Sequence, residues 1–279
     1  MKEFYSAIQK ARMEGRSVAV GSSNVRYGKE DNAKKLFDEI VAEKTPQVKE
    51  KKINKLIDLL EKNSEQNSFF SKNEEIEINV GSGASMGPKI KLDDINIYKM
   101  FFDTYCRFKK EHPEVRDGVL HKKTIEATIK AYFGNFNGNM KLRQGLTTPE
   151  IDWDKFEDAN YEPEIPSISK LRNKNCAMCV ERASVAHNLW LLGGYESYYT
   201  DSSSIQLADA LDEGHAYCIV NHNGTFKLFD CSMNLYHAFD KGLNPIEEIL
   251  SGKPLVIEKN DKQYVYANNF AFEKKQELV

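Results

Sequence analysis

The chain has 279 residues, 41% hydrophobic and 29% charged, with 39 basic against 42 acidic side chains and a net charge of -3. That composition suits a globular protein with a sizeable core, and the charge balance argues against a general nucleic-acid binder. No apolar run approaches the roughly 20 residues of a membrane span, and the start MKEFYSAIQKARMEGRS lacks the apolar stretch of a signal peptide.

Residues 1–150 read as a mainly helical region. Tyr5, Ile8 and Ala11 recur at helical spacing, as do Ala33, Leu36, Phe37, Ile40 and Val41, and then Ile53, Leu56, Ile57 and Leu60. A glycine-bearing polar loop spans Gly81 to Gly87. Asp93 or Asp94 is placed to cap a helix carrying Ile97, Met100, Phe101, Tyr105 and Phe108. Another helix is expected over about 121–133, and residues 134–170 read as a long irregular connection.

Cys179 to Leu192 is apolar almost all round, the pattern of a buried helix, and Gly193-Gly194 stops it with a left-handed cap. Tyr195 to Thr200 reads as a strand, followed by a polar excursion over Asp201 to Gly214. His215 to Val220 and Thr225 to Cys231 then form a hairpin around Asn223-Gly224.

Five cysteines cannot all pair internally and are too few for a disulfide scaffold, so a reducing, cytoplasmic setting is expected. Three residues suggest chemistry. Cys179 opens the buried helix, where partial positive charge favours a thiolate. His215 opens one hairpin strand and Asp230 nearly ends the other. A nucleophilic cysteine needs a base, and the base needs an orienting group. With a two-residue turn, His222 faces Thr225 and Tyr217 faces Asp230, which puts His215 and Asp230 diagonally on one sheet face. A three-residue turn would put them on opposite faces.

The stretch from Cys179 through Ala183 and Leu191-Leu192 to Gly193, then His215-Ala216-Tyr217 and Phe229-Asp230-Cys231-Ser232, resembles the transglutaminase-like branch of the papain-like cysteine proteases. The likeness covers about 171–235. Ala177 and Tyr217 depart from it, standing where the family usually has glycine and commonly has tryptophan. The resemblance implies an α+β fold: a papain-like core over 151–279, with a buried helix on an antiparallel sheet, preceded by the helical region over 1–150. It implies a cysteine-dependent amide hydrolase or acyltransferase acting on a peptide or protein. Cys179 would be the nucleophile, His215 the proton shuttle and Asp230 its orienter, with no cofactor, nucleic acid or membrane involved. The Cys179 N–H is expected to form the oxyanion hole, with Asn173 or Asn175 as a second donor. Asp240 and Asn234 are the fallbacks for Asp230, and Asp230→Asn is expected to keep more activity than Asp230→Ala.

Other readings use the same residues. One is a catalytically inactive binding module of this fold. Cys176 competes with Cys179 as nucleophile, and Cys176-x-x-Cys179 also has the spacing of a redox pair, but no strand precedes it. Cys176, Cys179, His215 and Cys218 count out as four zinc ligands, although His215 and Cys218 have opposite strand parity.

Overall fold

The computed structural model describes residues 20–22, 31–63, 77–79, 89–92, 94–136, 139–147, 154, 166–207, 213–222, 224–250 and 253–268. The helix expected around Tyr5, Ile8 and Ala11 and the loop from Gly81 to Gly87 lie outside them. Helices α1 (Asp31–Ala42) and α2 (Pro46–Asn63) form where the periodicity places them. They bury Leu36, Phe37 and Ile40, and Ile53, Leu56 and Ile57. Pro46 opens α2 where no N–H is needed. Ahead of α3 (Asn96–Glu111), Asp94 Oδ1 accepts the Asn96 N–H at 2.9 Å. Its Oδ2 accepts the hydroxyl of Tyr132, on α4 (Asp117–Phe133), at 2.6 Å.

The stretch expected to be irregular contains a helix, α5 (Met140–Thr147), and a 3-10 turn at Ile168–Leu171. Asn139 starts α5 by accepting the Leu142 N–H at 3.1 Å. This local cap outweighs a weak apolar period. The region before residue 150 also supplies strands. β1 (Val20–Ser22) joins the main sheet, and β2 (Glu77–Asn79) pairs with β3 (Lys89–Lys91).

Helix α6 (Cys179–Leu192) is buried at every position except Val180. It lies between the sheet and α4, so a one-sided apolar stripe would leave a polar face in the core. One apolar cluster runs from Leu36 and Phe101 through Leu189 and Trp190 to Cys218 and Phe229. The helical region and the sheet therefore share a core.

The main sheet is antiparallel in the order β7 (Leu235–Ala238), β6 (Thr225–Asp230), β5 (Glu213–His222), β4 (Glu196–Leu207), β9 (Lys262–Asn268), β8 (Leu255–Lys259). The excursion expected over Asp201 to Gly214 is mostly strand. β4 runs on to Leu207 and pairs there with β9, while β5 begins at Glu213. Two flanking ladders hold the polar residues extended, which composition alone disfavours. A bulge separates Thr200 from Ser203.

Two strands separate Asp230 on β6 from Tyr266 on β9. In a flat sheet the two residues would stand about 14 Å apart, yet the Tyr266 hydroxyl reaches Asp230 Oδ2 at 2.9 Å. The sheet therefore curls, and its concave face encloses Tyr217, Ile219, Leu228, Leu235 and Ile257. Helix α7 (Pro245–Leu250) adds Ile246 and Ile249. No helix among the described residues is long and apolar enough to cross a membrane.

The two glycines after α6 do different work. Gly194 carries the left-handed φ of +79°. Gly193 has an ordinary φ of -79°, so the left-handed cap expected of the pair belongs to Gly194 alone. A Cβ on Gly193 would sit 2.0 Å from Cε1 of His121. That ring cannot swing aside, because its Nε2 bonds Leu189 O at 2.8 Å and it packs between Phe101 and Tyr195. Gly193→Ala is expected to destabilise the fold by roughly 3 kcal/mol, read by chemical denaturation. Adding His121→Ala should show a favourable coupling. Equal midpoints for the parent and Gly193→Ala would refute the clash.

Candidate active site

The hairpin register is the one a two-residue turn requires. His222 pairs with Thr225, Val220 with Lys227 and Cys218 with Phe229. Asn223 lies outside the described residues. Gly224 has φ +79°, the conformation such a turn needs. His215, Tyr217 and Asp230 consequently share the concave face, while Cys218 turns to α6 and donates to Ala183 O at 3.2 Å.

His215 Nε2 lies 2.6 Å from Asp230 Oδ2. Cys179 is near enough to act on the His215 imidazole through its side chain, and Nδ1 is the ring nitrogen that Asp230 does not engage. The β4 bulge falls opposite this position, between the partners of Tyr217 and His215. A bulge bends its own strand and raises the local twist, and at this place a residue of the concave face comes near the first residue of α6. Burial pushes the His215 imidazole down. The Asp230 charge and hydrogen bond, together with Cys179, outweigh burial and raise it to about 10.

Asp230 is 1% exposed and fully engaged. Its Oδ1 accepts the N–H groups of Ser232 and Met233, each at 3.0 Å, and its Oδ2 accepts from His215 and Tyr266. Both carboxylate oxygens are thus fixed, one by the turn after β6 and one by two side chains. Asn234 and Asp240, the fallback orienters, are exposed.

The start of α6 is anchored by charge. Met178, its cap residue, has no side-chain oxygen to offer, but Glu181 Oε2 reaches back to the Met178 N–H at 2.8 Å. Glu181 Oε1 accepts from Arg143 Nε at 2.9 Å and Nη2 at 2.8 Å, a buried pair joining α5 to α6. Arg182 Nε donates to Ala177 O, and its Nη2 to Gly134 O, each at 3.0 Å. The segment leading into Cys179 is therefore held from both flanks. Helical geometry leaves the Cys179 N–H without an intrahelical acceptor, as an oxyanion donor requires.

Asn173 and Asn175, the second oxyanion candidates, carry other contacts. Asn173 is exposed, with φ +57°, and its N–H donates to Tyr132 O. Asn175 Oδ1 accepts the Asn135 N–H at 2.7 Å. No contact described for either side chain reaches Cys179.

The zinc alternative is not assembled. No group of three or more His, Cys, Asp or Glu among the described residues is placed to hold a metal. Cys218 points to α6 and His215 to the concave face, as their opposite parity dictates. All five cysteines are free thiols. Burial pushes the thiols of Cys106, Cys176, Cys218 and Cys231 up, reinforced at Cys176 by the Glu181 charge.

Sequence reasoning missed three contributors: Arg143, Glu181 and Tyr266. Only Glu181 left a local signal, an acidic residue three positions after the cap. Comparisons with protein-family models, curated proteins and solved structures found no match to the chain.

Proposed function

We propose that this chain is a transglutaminase-like cysteine hydrolase or acyltransferase acting on an amide or thioester of a peptide or protein. The observation that carries the reading is His215 held between Asp230 and a cysteine at the first residue of a buried helix. In the proposed reaction Cys179 Sγ attacks the carbonyl carbon, and the Cys179 N–H receives the developing oxyanion. His215, charged next to the thiolate, gives its proton to the leaving group as the C–N or C–S bond breaks. A thioester on Cys179 results. Water or an amine then attacks it while His215 takes the proton, and Cys179 leaves as thiolate.

Limiting iodoacetamide near pH 6 tests the central claim. Cys179 is 9% exposed, while Cys176 and Cys218 are fully buried, and the four other thiols are held protonated. Peptide mapping is expected to show Cys179 alkylated at least about tenfold faster than any other cysteine. His215→Ala should abolish that preference. Equal rates in the parent would sink the thiolate reading, and a binding module of this fold would then be favoured.

A further inference from the structure

We infer that Tyr266 is a positioning member of this site, its hydroxyl sharing Asp230 Oδ2 with His215 and so setting how strongly the carboxylate holds the imidazole. The structural part stands on geometry alone, and the catalytic consequence rests on the function proposed above.

The geometry is specific. Tyr266 is fully buried on β9, 36 residues from Asp230 in sequence, and its hydroxyl donates to Oδ2 at 2.9 Å. The imidazole engages the same oxygen at 2.6 Å. The Tyr266 ring lies edge-on to Tyr217, with centroids 4.7 Å apart, and its centroid is 6.2 Å from that of His215. A tyrosine serving only to fill the concave core needs no hydroxyl. A buried hydroxyl aimed at an oxygen already used by the imidazole competes for its charge.

Removing the hydroxyl returns that charge to His215. In Tyr266→Phe the carboxylate has one donor fewer, so the imidazolium is held more tightly. The groups facing this pair are Asp230, Cys179, Tyr217 and Tyr266 around His215, and Cys218 and Cys231 near Asp230. Of these, Tyr266→Phe alters one donor and no formal charge. Burial and the Asp230 charge hold the Tyr266 hydroxyl well above the usual phenol range, so it stays a neutral donor across the range tested.

The test is an NMR pH titration of His215 in the full chain, assigned with His215→Gln. Tyr266→Phe should raise the His215 midpoint by roughly half a unit or more. Tyr264→Phe, on the same strand, should leave it unchanged. A second variant guards against misfolding. 3-Fluorotyrosine placed at 266 keeps the ring and strengthens the donor, and should move the midpoint down. For turnover, kcat in Tyr266→Phe should fall about tenfold with KM unchanged, and its alkaline limb should move up with the titration.

An unchanged His215 midpoint in both folded variants would overturn the inference and leave Tyr266 a packing residue. The reading of Cys179 as nucleophile fails separately, through the alkylation experiment, and the titration result would stand without it.

Discussion

Asp230→Asn is expected to stop turnover while leaving the fold standing, and Asp230→Ala to damage both. From sequence alone the amide is the milder change, because its oxygen can still accept from imidazole. The structure gives the carboxylate four donors in two pairs, the N–H groups of Ser232 and Met233 on one oxygen and His215 with Tyr266 on the other. An amide has one oxygen, so it serves one pair. Turned toward the backbone, it keeps the turn after β6 and presents its NH2 to His215. The imidazole must then accept at Nε2 and carry its proton on Nδ1, facing Cys179 with the wrong tautomer. The expected loss in kcat/KM is about 10³-fold or more. The alanine variant orphans both backbone N–H groups in a buried place and should also cost about 2–4 kcal/mol in stability. If the proposed function holds, Cys179→Ala sets the floor, since no other group would form the acyl intermediate, and its unfolding midpoint should stay near the parent's. Steady-state kinetics together with chemical denaturation separate these outcomes. An Asp230→Asn enzyme with near-parent turnover would show that Asp230 does not set the His215 tautomer.

The parts of this site that were legible in sequence are those encoded within a few residues of each other. A near-continuous apolar run with two glycines after it describes a buried helix and its stop. An Asn-Gly turn fixes parity, and parity alone places His215 and Asp230 on one face. Tyr266 was not legible, because its position beside Asp230 depends on a curl summed over four strands. Arg143 and Glu181 meet across 38 residues, and part of the chain between them has no strong period. Strands β7 to β9 were missed for a local reason. β7 has four residues, and β8 and β9 turn through Asn260-Asp261, both at positive φ, without the glycine that usually marks such a turn. Gly193 and Gly194 look alike in sequence. Only the His121 ring, packed against Gly193 from another helix, separates their roles.

Stability is expected to peak near neutral pH and to fall more steeply on the acid side. His121 and His187 are fully buried, and burial lowers them to about 4 and about 3 from an ordinary value near 6.5. At His121 the hydrogen bond to Leu189 O opposes burial but does not overcome it. Both are therefore neutral in the folded chain, while the unfolded chain takes up a proton on each as pH falls below about 6.5. Their contribution is complete above that value and is lost on acidification, by about 3 kcal/mol per pH unit for the two protons until the folded values are approached. His215 has the opposite sign. Its folded value, about 10, lies above the unfolded one, so its contribution is complete below pH 6.5 and is lost as pH rises toward 10. One proton gives about half the acid slope. The raised thiols of Cys218 and Cys231 add to the alkaline loss above pH 9, because the unfolded chain ionises them first. Urea unfolding between pH 4.5 and 9 reads both limbs. His121→Gln should remove one proton from the acid limb, and His215→Gln should flatten the alkaline limb below pH 9. A midpoint that stays constant from pH 6.5 to 4.5 would mean that the two imidazoles are not buried neutral, and the packing of α6 between α4 and the sheet would have to be different.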